Sequence, residues 1–172
     1  MSSQPAQGRQ VYSGYRGSPN PTEHDRIVHL LDEYRASEAF VAEYLGAWIA
    51  ASSDPRIVGG LRLLREREAA HARVFEARLR ELGAEPAAAV PAERRASTLA
   101  RYGATDISDL DKLGTLAVLF EDAEYFLQPV TDLIRAIRVD LHTRELLRTV
   151  LDDERASVAW LLGMHGTLAA EA

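Results

Sequence analysis

The chain has 172 residues, contains no cysteine and carries a net charge of −6 from 26 acidic and 20 basic residues. This length supports one domain with its own hydrophobic core, and the lack of cysteine excludes disulfides, cysteine-bound zinc and iron–sulfur clusters in this chain. The acidic balance argues against nucleic-acid binding through a general basic surface. No apolar run approaches the roughly 20 residues that span a bilayer, so we expect no transmembrane segment and a cytoplasmic location.

The N-terminal segment differs in composition from the rest of the chain. Residues 1–21 are rich in Gly, Ser, Pro and Gln, and they show neither the period of a strand nor that of a helix. This composition predicts a flexible tail. Residues 22–170 are then predicted to form a single domain.

Helix-capping residues mark the first two predicted helices. Thr22 followed by Asp25 forms a capping pair at the start of the first helix, whose apolar side chains recur every three or four residues. Asp54 suits the N-cap of the second helix, Pro55 suits its first residue and Gly83 suits its end. The short connection between the two helices predicts an antiparallel hairpin.

A long connection and a second pair of helices follow. Residues 83–108 contain prolines and an Ala-rich stretch, which predicts a crossover with a short helix near residues 92–101. A third helix is predicted from Ser108 to about Ile137, and a fourth helix follows a break at residues 140–143. The sequence therefore predicts an all-α fold, an antiparallel four-helix bundle of two helical hairpins joined by a long crossover.

Charged side chains interrupt the apolar stripe of every predicted helix. They are Glu38 in the first helix, Glu68 and His71 in the second, Glu121 and Glu124 at the border of the third stripe, and Glu154 in the fourth. Burying an unpaired carboxylate costs several kcal/mol, and no arginine lies on these interior stripes at the same level. A divalent or trivalent metal ion, bound by carboxylate oxygens and an imidazole, would compensate for this cost.

The predicted heights of these residues along the bundle agree. Glu38 lies 14 residues before the predicted end of its helix, and Glu68 lies 13 residues after the predicted start of its own. At about 1.5 Å rise per residue, the two lie at nearly the same height in an antiparallel pair. Glu124 and Glu154 are 30 residues apart, as are Glu38 and Glu68. We therefore expect all four carboxylates to converge with His71.

The segments around these residues resemble known proteins. The second helix of rubrerythrin-type and demethoxyubiquinone-hydroxylase-type proteins is similar to LREREAAHARVFEARLRELGAEP, which contains Glu68-x-x-His71, and their fourth helix is similar to LLRTVLDDERASVAWL. The paired glutamates on the third helix of rubrerythrins resemble Glu121-x-x-Glu124. The resemblance covers roughly residues 22–168 and implies membership of the ferritin-like (di-iron carboxylate) superfamily.

This resemblance implies a metal site and its ligands. The ligands would be Glu38, Glu68, His71, Glu121, Glu124 and Glu154. The implied metal is iron, as a pair or as a single ion, with manganese as a further candidate. Asp152 and Asp153, beside Glu154, are expected to point outward.

The chain departs from the family pattern at Ser157, where the family carries a second histidine. A serine hydroxyl is a poor ligand for iron. Three outcomes are open: a two-metal site completed by water or Glu121, a single-metal site at His71, or a site that has lost its metal. His165 lies about 12 Å further along the helix axis, too far to replace the missing ligand.

The resemblance also implies oxygen or peroxide chemistry. Peroxide reduction, iron oxidation and hydroxylation of an organic substrate are the family activities left open, with dioxygen or peroxide as the reactant. An external electron donor would be needed, because the chain has no cysteine to hold a rubredoxin-type centre. The alternative is a metal-free ferritin-like scaffold or interaction protein, which Ser157 favours and Glu68-x-x-His71 opposes. The sequence leaves assembly into a homo-oligomer open.

Overall fold

The computed structural model describes residues 20–172 and contains only helices, with no strand in that range. The helices are α1 (Glu23–Ala51), α2 (Pro55–Glu81), α3 (Ala92–Gly103), α4 (Asp109–Leu119), α5 (Ala123–Phe126), α6 (Gln128–Ala136) and α7 (Leu141–Glu171). The prediction of an all-α fold is confirmed. None of these helices has the length and apolar content that crossing a membrane requires. The tail predicted for residues 1–21 lies almost entirely outside the described residues.

Capping interactions begin and end the first two helices where the sequence predicts. The Thr22 hydroxyl accepts a hydrogen bond from the Asp25 backbone N–H at 3.1 Å, and the Asp25 carboxylate accepts one from the Thr22 N–H at 2.9 Å. Asp54 caps α2 by accepting from the Arg56 N–H at 2.8 Å. Such a cap typically contributes about 1 kcal/mol. After α2, Gly83 adopts a φ of +77°, which residues with a Cβ rarely adopt.

The crossover that connects α2 to α4 is held on α1. Its helix α3 packs against α1. Asp32 of α1 accepts hydrogen bonds from the backbone N–H groups of Ala87 and Ala88 at 2.9 and 2.7 Å, and Arg35 donates to the Ala88 carbonyl oxygen at 2.6 Å. The short helix predicted near residues 92–101 is present.

The third predicted helix is not continuous. α4 ends at Leu119, and the chain resumes as the single turn α5 and then as α6. The Asp122 carboxylate accepts a hydrogen bond from the Tyr125 backbone N–H at 2.9 Å, which caps a new helix start. Pro129, in the first turn of α6, has no N–H for a helical hydrogen bond to the preceding turn. The prediction of one helix from Ser108 to Ile137 is therefore wrong beyond Leu119.

The buried apolar side chains form two clusters rather than one. The first cluster contains Ile27, Leu31, Phe75, Leu79, Leu127, Val130, Leu133, Ile134, Ile137, Leu147, Val150 and Leu151. The second cluster contains Leu45, Trp48, Ile57, Leu61, Leu64, Tyr102, Leu113, Leu116, Phe120, Val158 and Leu161. Each of α1, α2 and α7 contributes to both clusters, so the middle of each of these helices lies between them.

The order of the clusters along the helices gives their directions. α1 and α7 run from the first cluster to the second, whereas α2 runs from the second to the first. α2 is thus antiparallel to α1 and α7 and packs against both, and α7 also packs against α4 and α6. The polar residues that interrupt the apolar stripes lie in the level between the clusters.

Candidate metal centre

Four ionisable side chains meet between the two apolar clusters. Glu38 of α1, Glu68 and His71 of α2, and Glu154 of α7 each place one potential ligand atom within 4.8 Å of those of the other three. Glu38, Glu68 and His71 are only 7%, 4% and 5% exposed, and the Glu154 side chain is 19% exposed. The structure therefore brings together four of the six residues predicted from the sequence.

Helix continuity explains why these four side chains meet. α1, α2 and α7 are uninterrupted through this level, so a residue's place in the apolar stripe determines the side to which it points. Glu38 lies seven residues, about two turns, from both Leu31 and Leu45, which are 0% and 2% exposed. Glu68 and His71 are three residues apart and project from one face of α2. The inward direction predicted for these residues is present.

His71 and Glu154 face each other without a hydrogen bond. The His71 Nδ1 and Glu154 Oε1 atoms lie 3.2 Å apart, yet within the described chain neither makes a hydrogen bond of acceptable geometry, and both are shielded from solvent. Buried polar atoms in proteins are almost always partnered, and an exception needs an explanation. A cation bound by both atoms would supply that explanation, with the neutral ring carrying its proton on Nε2 beside Asp153.

Asp153 holds the other edge of the imidazole ring. Its Oδ2 atom lies 3.2 Å from the His71 Nε2 atom. Carboxylates that accept from the second nitrogen of a histidine commonly fix the ring orientation at metal sites. Asp152 is exposed as predicted. The Asp153 side chain is 42% exposed, and the prediction that it points outward missed its contact with His71. The signal that could have found Asp153 is the need of any inward imidazole for a partner at its second nitrogen.

Glu38 and Glu68 form a carboxyl pair whose proton affinity is high. Burial raises the pKa of Glu38 well above its usual range, and so do a hydrogen bond to Glu68 and the charges of Glu68 and Glu154. Burial chiefly raises the pKa of Glu68 to about 7, with a further increase from the charge of Glu154. Without a cation, the pair thus holds a proton near neutral pH. A metal ion would displace that proton on binding.

The charge state of His71 depends on the same neighbours. Burial lowers the pKa of His71, but the adjacent carboxylates of Glu154 and Asp153 outweigh burial, and the net shift is upward. A metal ion needs the neutral ring as its ligand, so binding would also release protons from this residue. The surroundings of His71 therefore favour a positive charge, which is the electrostatic environment that a cation requires.

Glu121 and Glu124 do not join the cluster. Both are exposed, and the Glu124 carboxylate oxygens accept hydrogen bonds from Nε and Nη2 of Arg155, each at 3.1 Å. The bond from Arg155 lowers the pKa of Glu124. The prediction that Glu124 converges with the other carboxylates is wrong, because the helix breaks at this level and the face that carries both glutamates turns towards solvent.

Ser157 lies in the interior of the protein. It is 4% exposed, and its Oγ atom has no hydrogen-bond partner among the described residues. It follows Glu154 by three residues on α7, so both side chains lie on one face of that helix. His165 lies elsewhere, beside Gly114 of α4, and does not substitute for a ligand here.

The donor set fits a transition-metal ion. Three carboxylates and one imidazole match the ligand preferences of iron(II) and manganese(II), and the two unpartnered atoms of His71 and Glu154 already face a common point. Comparison of the chain with protein-family models, with curated proteins and with solved structures gave no match.

Proposed function

We propose that this chain is a ferritin-like metalloprotein that binds iron or manganese inside a four-helix bundle and reacts there with dioxygen or peroxide. The observation that carries the proposal is the pair of buried, unpartnered atoms, His71 Nδ1 and Glu154 Oε1, which lie 3.2 Å apart. Glu38 and Glu68 complete the group with two further buried carboxylates. A bound cation would give both atoms a partner, and unpaired buried ionisable groups are destabilising.

The helix order supports the ferritin-like part of the proposal. A tight hairpin of α1 and α2 is followed by a crossover, and α7 packs against both α2 and the segment from α4 to α6. In this proposal the segment from α4 to α6 takes the place of the third long helix. Ferritin-like proteins are two such hairpins joined by a crossover, with carboxylates and histidine projecting into the centre.

The residues of the site have distinct roles in this proposal. An iron ion at the site would supply electron transfer to dioxygen or peroxide. Glu38, Glu68 and Glu154 hold the cation and balance its charge, and His71 supplies the nitrogen donor. Asp153 orients the imidazole through Nε2. The apolar clusters above and below the site limit the access of water from both ends, which strengthens each electrostatic interaction within it.

The proposal covers three reactions of this family: peroxide reduction, iron oxidation and hydroxylation of an organic substrate. All three use dioxygen or peroxide as the reactant. An electron donor from outside the chain is part of the proposal, because the chain has no cysteine for an iron–sulfur or rubredoxin-type centre.

A second candidate function is a metal-free helical scaffold or interaction protein. The hydrogen bond between Glu38 and Glu68 favours it, because a carboxyl pair that shares a proton needs less external charge. Ser157, in place of a second nitrogen donor, favours it as well. The unpartnered atoms of His71 and Glu154 oppose it.

Metal content separates the two candidates. Purified protein is stripped with chelator, reconstituted with iron(II) without oxygen, desalted and analysed for iron. We expect iron to remain bound to the wild-type chain and to be largely lost from His71→Ala. The control is Glu85→Ala, an exposed carboxylate in the crossover that should bind like wild type. A wild-type chain that retains no iron or manganese supports the scaffold instead.

A further inference from the structure

The site has donor groups for one cation. Of the residues that a second cation would need, one carboxylate is paired with an arginine and one nitrogen donor is missing. From this we infer that the protein binds one metal ion per chain, and that Arg155 maintains this number by holding Glu124 away from the site. The inference rests on the proposed function, because it specifies how many ions the same residues bind. The number of donor groups supports it. Across residues 20–172, the cluster contains three carboxylates and one imidazole, and the carboxylate next to it, Asp153, contacts the opposite edge of His71.

The charge of the ligands also favours a single ion. Three carboxylates with a neutral imidazole carry at most three negative charges, which one divalent or trivalent ion nearly balances. A second divalent ion would leave a net positive charge in a buried site, which is costly unless further carboxylates enter. Glu124, the carboxylate that the sequence predicts at this level of the third helix, is already paired with the Arg155 guanidinium.

The contact between Arg155 and Glu124 is two-pronged. Nε and Nη2 of Arg155 each donate to one carboxylate oxygen of Glu124 at 3.1 Å, the geometry in which arginine binds carboxylates most selectively. Arg155 also approaches Asp152 at 3.4 Å. Arg155 directly follows Glu154 on α7, so this contact fixes Glu124 beside the helix that carries one of the site's carboxylates.

The position of Ser157 also favours a single ion. It stands three residues after Glu154, in the same relation as His71 to Glu68. Its buried, unpartnered hydroxyl therefore occupies the place where a second nitrogen donor would project. With a weak oxygen donor here and Glu124 held outside, only one complete set of ligands is left.

Metal titration tests the inference. Manganese(II) or, without oxygen, iron(II) is added to the metal-free wild-type protein, and bound metal per chain is measured by equilibrium dialysis. We expect saturation at one ion and, for manganese, the electron paramagnetic resonance spectrum of an isolated ion. Saturation at two ions, with the spectrum of a coupled pair, overturns the inference and leaves the proposed function intact. No bound metal overturns both.

A pair of variants tests the role of Arg155. Ser157→His supplies the missing donor but leaves Glu124 bound to Arg155, so we expect it still to bind one ion. Ser157→His combined with Arg155→Ala should bind two ions and show the coupled-pair spectrum. Both side chains of the Arg155–Glu124 pair are substantially exposed, so the combined variant should retain its helical circular dichroism. A second ion in Ser157→His alone, or one ion in the combined variant, overturns the role of Arg155.

Discussion

Three continuous helices and one broken segment surround the site, and only the continuous helices supply the candidate ligands. α1, α2 and α7 cross this level without interruption and contribute all four donor residues. The chain between Phe120, in the second apolar cluster, and Leu127, in the first, crosses the same level as broken turns. Its glutamates, Glu121 and Glu124, are exposed. An apolar period thus predicts the direction of a side chain only for as long as the helix continues.

The cost of burying charge explains this difference. A continuous helix that is buried on both sides of the site level cannot turn one residue away, so Glu38 and Glu68 remain inside and their pKa values rise. At a helix break the chain can rotate, and the carboxylates find less costly partners. Asp122 caps a backbone N–H, and Glu124 binds an exposed arginine.

We expect the largest effect on metal affinity, when glutamates of the continuous helices and of the broken segment are substituted in turn. Glu68→Gln should weaken iron(II) or manganese(II) binding by at least about 100-fold, the upper range of what loss of an outer partner of a metal ligand causes. Glu121→Gln and Glu124→Gln remove exposed carboxylates and should leave affinity within about two-fold, since exposed charges contribute weakly. Calorimetric titration measures all three variants. Equal losses on both sides would contradict the comparison.

The next largest effect is on stability, and it arises where α2 and α7 are in close contact. A Cβ at Gly60 of α2 would lie 1.8 Å from the Trp160 ring of α7, whereas a Cβ at Gly59 would meet nothing within 4 Å. Gly60→Ala should therefore destabilise the protein by about 2 kcal/mol through overpacking. Gly59→Ala should stabilise it by about 0.5–1 kcal/mol, because glycine is unfavourable inside a helix. Urea unfolding of both variants checks the prediction, and a stable Gly60→Ala would contradict it.

The pH dependence of the metal-free protein gives an effect that is small for each pH unit. The pKa of Glu68 is raised from 4.5 to about 7, and those of Glu38 and His71 are also raised. The folded state therefore binds protons that the unfolded state releases, so stability should fall as pH rises from about 4.5 to 7. We expect a decrease of roughly 1 kcal/mol per pH unit over this range. Urea unfolding in chelator measures it.

The control for this pH dependence comes from the opposite side of the site. Glu124 has a lowered pKa, so Glu124→Gln should leave the slope between about pH 4.5 and 7 unchanged, whereas Glu38→Gln combined with Glu68→Gln should flatten it. A wild-type slope of the opposite sign would show that the buried pair is not protonated in the folded state.

Much of the fold could be predicted because its signals are local. The Thr22–Asp25 capping pair, Asp54 with Pro55, and Gly83 act within a few residues of one another, and each bounds its helix as expected. The positions of Glu38, Glu68 and His71 could be predicted as well, since they depend only on the period of two uninterrupted helices.

The rest could not be predicted from period alone. The apolar residues from Leu113 to Ile137 keep a helical spacing, and they do pack into the two clusters. The helix breaks between them depend on the Asp122 carboxylate, which caps a backbone N–H, and on Pro129, which has no N–H. Pro129 was the one local signal in the sequence for a break. The contact of Asp153 with His71 joins residues 82 positions apart, which no local pattern indicates.

The level of ionisable side chains divides the hydrophobic interior into two halves that share the same three helices. Without a cation, polar contacts among three acids and one imidazole replace apolar packing at this level, so we expect each end to open to solvent with limited effect on the other. A bound ion would join α1, α2 and α7 at mid-length, and local openings at the two ends would then become a single cooperative event.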